Sequence, residues 1–330
     1  MIKEKTFHSM FKEELGDFLS LRKSARSKGT IDHDRHYLQL FDDYLCSVHH
    51  ATRKITEEIV TGWIASLVFS DVTAAGAVNT VRCFLKHLQG YDINVYIPSM
   101  PRYDDDYTPY VFSDHEITRI FKNADSFTFS KSKRFPYIKA EIPMLLRLLL
   151  GCGLRLGEAV SLKVRDIDSK TGVLTLKYTK KDKERLVPMH PELAALLTGY
   201  CLAMGIAGNP DAWLFPGASS ETHLTKMDVW HRFDTILRKS GISLLGKKKN
   251  ERGPCLHCLR HLFVLKSFRH LEENGYPVDD AIPYLSIYLG HAGLNETQKY
   301  MKFSNDMFPK EMDCFATFTK DIFPEVEYEE

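Results

Sequence analysis

No stretch of this chain stays apolar for the ~18 residues that a membrane-spanning helix needs. The longest such run, Pro143 to Leu150, is interrupted by Arg147 and closed by Gly151, which excludes that class. The N-terminus, MIKEKTFHSMFKEE, lacks the apolar centre of a secretory signal. Cysteine is scarce and unpaired in pattern: seven residues, scattered and odd in number, make no disulfide framework. Reduced thiols and a cytoplasmic setting are expected. An excess of either charge is also missing. Lys and Arg total 44 against 43 Asp and Glu, a net of +1, which by itself does not point to nucleic-acid binding. No internal repeat or low-complexity segment is visible.

What is present fits a soluble protein of 330 residues, 44% hydrophobic, with roughly two domains. The balanced total hides an uneven distribution. Basic clusters lie at Arg22–Lys28 (RKSARSK), Lys131–Arg134 (KSKR), Lys180–Arg185 (KKDKER) and Lys247–Arg252 (KKKNER). Acid collects in YDDDY at 103–107 and in the tail PEVEYEE. Such a pattern is compatible with a basic face and acidic edges.

Residues 6–90 carry apolar positions at helical spacing, among them Phe7, Met10, Phe11, Leu15 and Phe18, and predict a bundle of about four helices. Thr56, ahead of Glu57 and Glu58, is a candidate N-cap. A segment with three prolines and an acidic run follows and reads as a linker over 98–112. The first domain is thus placed at 1–97 and the second at 113–330. The second domain mixes helices with one β-hairpin, in which GVLTLKYT and ERLVPM are strands and KKDK the turn. The fold class expected is mainly α with a small β-sheet (α+β).

Several groups in this second domain share a chemistry. Arg155 sits in GCGLRLGEAVSL, Lys180 at the hairpin tip, His257 and Arg260 in LHCLRHLF, and His291 and Tyr300 in YLGHAGLNETQKY. Together they offer two guanidiniums, an amine, two imidazoles and a phenol. Transfer of a phosphodiester needs such a set. Paired guanidiniums match phosphate oxygens with planar donors. A phenol, with a reference pKa of about 10, must lose its proton as it attacks. The leaving sugar oxygen must gain one. His257 and Arg260 stand one helical turn apart and share a face. Cys255, His257, Cys258 and His261 have a zinc-like look, but no second ligand pair stands at finger spacing, and no metal site is expected.

These strings resemble the tyrosine recombinase family, the phage-integrase and Xer-type enzymes. GLRLGEAVSLKVRDID looks like the family's first arginine box, with Arg155 and its accompanying acid Glu158. TKKDKERLVPM looks like the lysine hairpin, with Lys180 as the matching lysine and Lys183 and Arg185 as later basic positions. HCLRH matches the H-x-L-R-H box at His257 and Arg260. LGHAGLNETQKY matches the L-G-H-x-x-x-x-x-T-x-x-Y box at His291 and Tyr300. The resemblance is strong over roughly 110–302 and weaker over the N-terminal helices.

The resemblance implies a helical, SAM-like core-binding domain joined to a tyrosine-recombinase catalytic domain. It implies site-specific cleavage and rejoining of double-stranded DNA through a 3′-phosphotyrosine on Tyr300, without cofactor, metal or ATP. Arg155, Arg260 and His257 would hold the phosphate, with His291 in support. Lys180 would protonate the leaving oxygen, and Glu158 would orient the site. A homotetramer working through a Holliday junction, with the two domains closing around duplex DNA, is implied too. Candidate DNA contacts are Arg22, Lys23, Arg26, Lys28, Lys183, Arg185, Lys247, Lys248 and Lys249. The tail from about Phe303 would dock on a neighbouring protomer or on its own domain. No additional arm-binding domain is seen at the N-terminus. Two other readings share the residues: a DNA-binding protein without turnover, and a type IB topoisomerase. A covalent protein–DNA adduct separates the first from a recombinase. Relaxation of arbitrary plasmids without recombinant product would mark the second.

Overall fold

The computed structural model describes residues 6–103, 109–126, 135–177, 184–219, 221–243, 253–291 and 293–298. The chain divides into two compact units, Met1–Asp106 and Tyr107–Glu330. Among the described residues no helix is long and apolar enough to cross a membrane.

The first unit is built from α1 (Lys12–Lys23), α2 (Lys28–Ser47), α3 (Glu57–Ser66) and α4 (Asp71–Gln89). The apolar stripe that predicted helices is its core: Phe11, Leu15, Phe41, Trp63, Val78 and Phe84 are all but inaccessible. Two buried acids tie the bundle together. Asp42 of α2 accepts the backbone N–H groups of His8 (2.7 Å) and Ser9 (3.0 Å), fixing the entry to α1. Asp34 takes the Arg22 guanidinium at 2.7 Å. Thr56 stands before α3 in extended backbone, but its hydroxyl caps no backbone N–H of that helix.

The second unit contains α5 (Asp114–Ser126), α6 (Ile138–Gly151), α7 (Leu156–Val160), β1 (Ile167–Asp168), β2 (Val173–Leu176), β3 (Arg185–Pro188), α8 (Pro191–Ala203), α9 (Lys226–Lys239), α10 (Leu256–Glu273), α11 (Val278–Leu289) and α12 (Leu294–Gln298). The class is that expected: mostly helical with one small sheet. Helix α6 is the axle of this unit and packs on α5, α8 and α10. Its residues Ile142, Leu145, Leu146 and Leu148 are fully buried, while Lys139 and Ala140 stay exposed. The three strands form an antiparallel sheet in the order β1-β2-β3, with Leu174 opposite Val187 and Leu176 opposite Arg185. Leu174 and Val187 point into the core. Phe112, from the segment read as linker, is also core in this unit and meets Phe233 edge-on.

Candidate active site

The site starts where α6 ends. Gly153 has φ +59, and a Cβ there would lie 2.4 Å from the Phe263 ring of α10. Only glycine permits both the left-handed turn and this close approach. The turn delivers Arg155 to the N-cap position of α7, in extended backbone. Glu158, three residues on, reaches back and accepts the Arg155 backbone N–H at 2.9 Å, the acidic half of a capping box. It also accepts Arg155 Nη1 at 2.9 Å.

Glu158 has a second cation. Arg185 of β3 lays both its Nη atoms on the two carboxylate oxygens, at 3.0 and 2.9 Å. This fork-to-fork pairing is nearly buried, with side-chain exposures of 9% for Arg185 and 5% for Glu158. Burial pushes the Glu158 carboxyl up, but the bonds from Arg185 and Arg155 outweigh it and hold the group at about 2. Glu158 is therefore a fixed anion between two arginines, able to orient but not to transfer a proton near neutral pH.

The C-terminus of α11 is the third component. A helix end leaves its last carbonyls without intrahelical partners and carries partial negative charge. Here guanidiniums collect on those carbonyls. Arg185 Nε donates to Tyr288 O at 2.9 Å. Arg260 Nη2 donates to Leu289 O at 2.9 Å, and Arg155 Nη1 reaches the same oxygen at 3.4 Å. Arg155 Nη2 reaches Gly290 O at 3.4 Å. Gly290 ends the helix in the left-handed region at φ +65. A Cβ there would sit 2.8 Å from Arg185 Nη1.

Arg260 is 1% exposed, and its Nη1 also donates to Gly153 O at 2.6 Å. It therefore ties the α6–α7 turn to the end of α11. His291, the first residue past that end, puts Nε2 3.0 Å from Arg260 Nη2. Burial first, then the charges of Arg260, Arg155 and Arg185, bring its imidazole down to about 4. His291 is neutral at physiological pH. His257 opens the first turn of α10, and its ring meets that of His261 edge-on at 4.6 Å. Burial, then His257 and Arg260, lower His261 to about 3.

Arg155, Glu158, Arg260 and His291 converge, and His257 lies one turn from Arg260 on α10. Tyr300 and Lys180 lie outside the described residues, as do Lys183, Lys247, Lys248 and Lys249. Of the basic cluster in the first unit, Lys23, Arg26 and Lys28 are exposed, while Arg22 is engaged with Asp34 and stacks on Phe18. Arg185 departs from its expected role. Expected as a DNA contact, it is turned inward and committed to Glu158 and Tyr288 O, because the buried carboxylate requires a counter-charge. Its inward direction was signalled by strand alternation: Arg185 shares a face with buried Val187, not with exposed Leu186. Among the described residues no three His, Cys, Asp or Glu side chains are grouped to hold a metal. Cys255 and Cys258 stand with their sulfurs 3.6 Å apart.

The arrangement can bind a tetrahedral anion: an arginine, partly exposed, is braced from behind by a buried carboxylate, a second arginine and a neutral imidazole. Comparison with known proteins gives the same direction. The model of the phage integrase family matches residues 111–306. A Sinorhizobium fredii chain named as an integrase/recombinase is 30% identical over 276 residues, covering 79% of this chain and 84% of that one. The tyrosine recombinase XerD of Pseudomonas putida is 33% identical over 159 residues, 47% of each chain. Among solved structures, the XerH site-specific recombinase bound to a palindromic difH substrate, in a post-cleavage complex, has a TM-score of 0.67. It shares 18% identity over 91% of this chain and 83% of that chain, a likeness of fold.

Proposed function

Because the chain belongs to the phage integrase family and is a site-specific DNA recombinase of the tyrosine type, we propose that Tyr300 is its nucleophile and that Arg155, Arg260, His257 and His291 form the phosphate cradle. The phenolic oxygen of Tyr300 attacks the scissile phosphorus and loses its proton. The bond from phosphorus to the 5′-oxygen breaks, leaving a 3′-phosphotyrosine and a 5′-hydroxyl. Lys180 supplies the proton that the departing oxygen takes up. The covalent link conserves the phosphodiester's energy, so the 5′-hydroxyl of a partner strand can reverse the step without ATP. Glu158 and Arg185 take no proton; they keep Arg155 aimed.

The observation that carries this reading is the meeting of Arg155, Arg260 and His291 at the end of α11. Guanidiniums prearranged in a partly desolvated site stabilise charge developing on phosphate oxygens without reorganising. Double-stranded DNA is the substrate we propose. Lys23, Arg26 and Lys28, with Lys183 and Lys247–Lys249, are proposed as backbone contacts, so binding should weaken steeply with salt. Two rounds of exchange within a homotetramer, through a Holliday junction, complete the reaction.

The test uses supercoiled plasmids carrying paired candidate sites cloned from the DNA that flanks the coding sequence. Recombinant product and a denaturant-resistant protein–DNA adduct are expected, both lost in Arg155→Ala and Arg260→Ala. Relaxed plasmid without recombinant product would contradict the reading.

A further inference from the structure

The stretch that carries His257 also carries two thiols to which the mechanism above gives no role. Cys255, Leu256, His257 and Cys258 run in sequence at the start of α10, so a cysteine stands on either side of the imidazole. Cys255 is the N-cap of that helix, in extended backbone, and Cys258 is the third residue inside it. These are the two positions whose side chains meet in a capping box. Here the Cys255 backbone N–H donates to Cys258 Sγ at 3.4 Å, and the two sulfurs stand 3.6 Å apart, both as thiols.

The two sulfurs differ in what reaches them. Cys255 is half-buried, whereas Cys258 is enclosed in the core of the catalytic unit. The hydrogen bond with Cys255, and then burial, raise the Cys258 thiol above its ordinary value. Cys255 is therefore the sulfur that a small oxidant meets, and Cys258 the one placed to close on it. A helix N-terminus favours negative charge, which suits a thiolate at the N-cap position. Closure must draw the sulfurs from 3.6 Å to a covalent bond. A side chain held in a close-packed core has little room to travel, so the N-cap end moves instead. The ring that closes includes the backbone of His257. Arg260, one turn on, is pinned to Gly153 O at 2.6 Å and Leu289 O at 2.9 Å. The displacement thus falls on His257, relative to the buried arginine beside it.

We propose that Cys255 and Cys258 form a dithiol oxidation site: a peroxide closes it to a disulfide, which shifts His257 and slows strand cleavage until a dithiol reductant reopens it. The Cys255 thiolate attacks one oxygen of hydrogen peroxide, the O–O bond breaks, and the other oxygen takes up a proton and leaves as water. The sulfenic acid so formed is attacked by the Cys258 sulfur. Its S–O bond breaks, the S–S bond forms, and the Cys258 proton departs with the hydroxyl as a second water. Two thiols are oxidised and one peroxide is reduced. Disulfide formation stands on the two sulfurs alone, and its effect on cleavage rests on the recombinase reading.

The test uses the full chain, reduced and then treated with hydrogen peroxide. Remaining thiols are alkylated, and the peptide holding both cysteines is weighed after digestion. It should lack two hydrogens and carry no alkyl group, and dithiothreitol should reverse both changes. Cleavage of a nicked trapping substrate should fall on the order of 10- to 10²-fold on oxidation and return on reduction. Cys255→Ser, with Cys258→Ala as a second variant, should cleave at the reduced wild-type rate before and after peroxide. Two alkylated cysteines after peroxide, or a disulfide that leaves cleavage unchanged, would overturn the proposal. So would an equal loss of cleavage on peroxide treatment of a folded Cys255→Ser chain. A disulfide formed in a chain that gives no covalent DNA adduct even when reduced would overturn the recombinase reading and leave the dithiol site standing.

Discussion

Arg155 and Arg260 donate to one carbonyl oxygen, that of Leu289, at 3.4 and 2.9 Å. Two helices and a turn far apart in sequence are thus registered on the C-terminus of α11. The neighbouring carbonyls of Tyr288 and Gly290 hold Arg185 and Arg155 in the same way. The end of one helix works as a template on which guanidiniums are set.

Arg185 braces that template through Glu158. Replacing it with methionine removes one partner of a nearly buried pair and should cost about 3 kcal/mol. Thermal or urea unfolding of the catalytic unit measures the loss. Cleavage should fall while the salt dependence of DNA binding keeps its slope, since Arg185 faces inward. A slope lower by about one would show a phosphate contact instead.

Gly290→Ala should damage the same place by a different route. A left-handed backbone at φ +65 costs a β-carbon-bearing residue about 1–2 kcal/mol. The new Cβ would also meet Arg185 Nη1 at 2.8 Å and Cδ at 3.0 Å. Reduced stability together with reduced cleavage is expected. A variant as stable and as active as wild type would remove the helix end from the account.

Acid should destabilise the catalytic unit in two stages. His291 and His261 titrate in the folded state at about 4 and about 3, against 6.5 when unconstrained. Below 6.5 the unfolded chain takes up protons that the folded chain refuses. Their contribution is complete above 6.5 and is lost as pH falls toward 4 and 3. Glu158, at about 2 against 4.5, contributes fully above 4.5 and loses its share between 4.5 and 2. Stability measured against pH should flatten between 6.5 and 4 in His261→Phe, and below 4.5 in Glu158→Gln. Unchanged slopes would contradict the assignments.

Lys180→Ala should cleave ordinary DNA slowly, by ~10²-fold or more if the amine is the general acid. A substrate whose leaving 5′-oxygen is replaced by sulfur needs no proton and should restore the rate. Failure to recover would assign Lys180 another task.

The sequence made much of this legible because the boxes are local. Arg155 with Glu158, and His257 with Arg260, are each three positions apart on a helix start or face, so their spacing carries their geometry. The hydrophobic period of α1 to α4 and of α6 likewise follows from burial. What the sequence concealed is long-range. Arg185 lies in a basic run that reads as surface, next to the exposed Leu186, and the buried acid that draws it inward is 27 residues away. Arg22 reads as a free cation in a basic cluster, yet its partner Asp34 lies on the next helix. Thr297 is visible as a motif letter, but its contacts with Ser286 and His291 are not. Hydrogen-bond direction is set by three-dimensional neighbours and has no one-dimensional period.

The most direct measurement is the identity of the residue that carries DNA. The full chain is incubated with a nicked substrate that traps the cleaved strand, the complex is digested, and the nucleotide-bearing peptide is read by mass spectrometry. A phosphodiester on Tyr300 joined to the 3′ end of the strand is expected, with no adduct from Tyr300→Phe despite normal DNA binding. An adduct on another side chain, or one that persists in Tyr300→Phe, would contradict it.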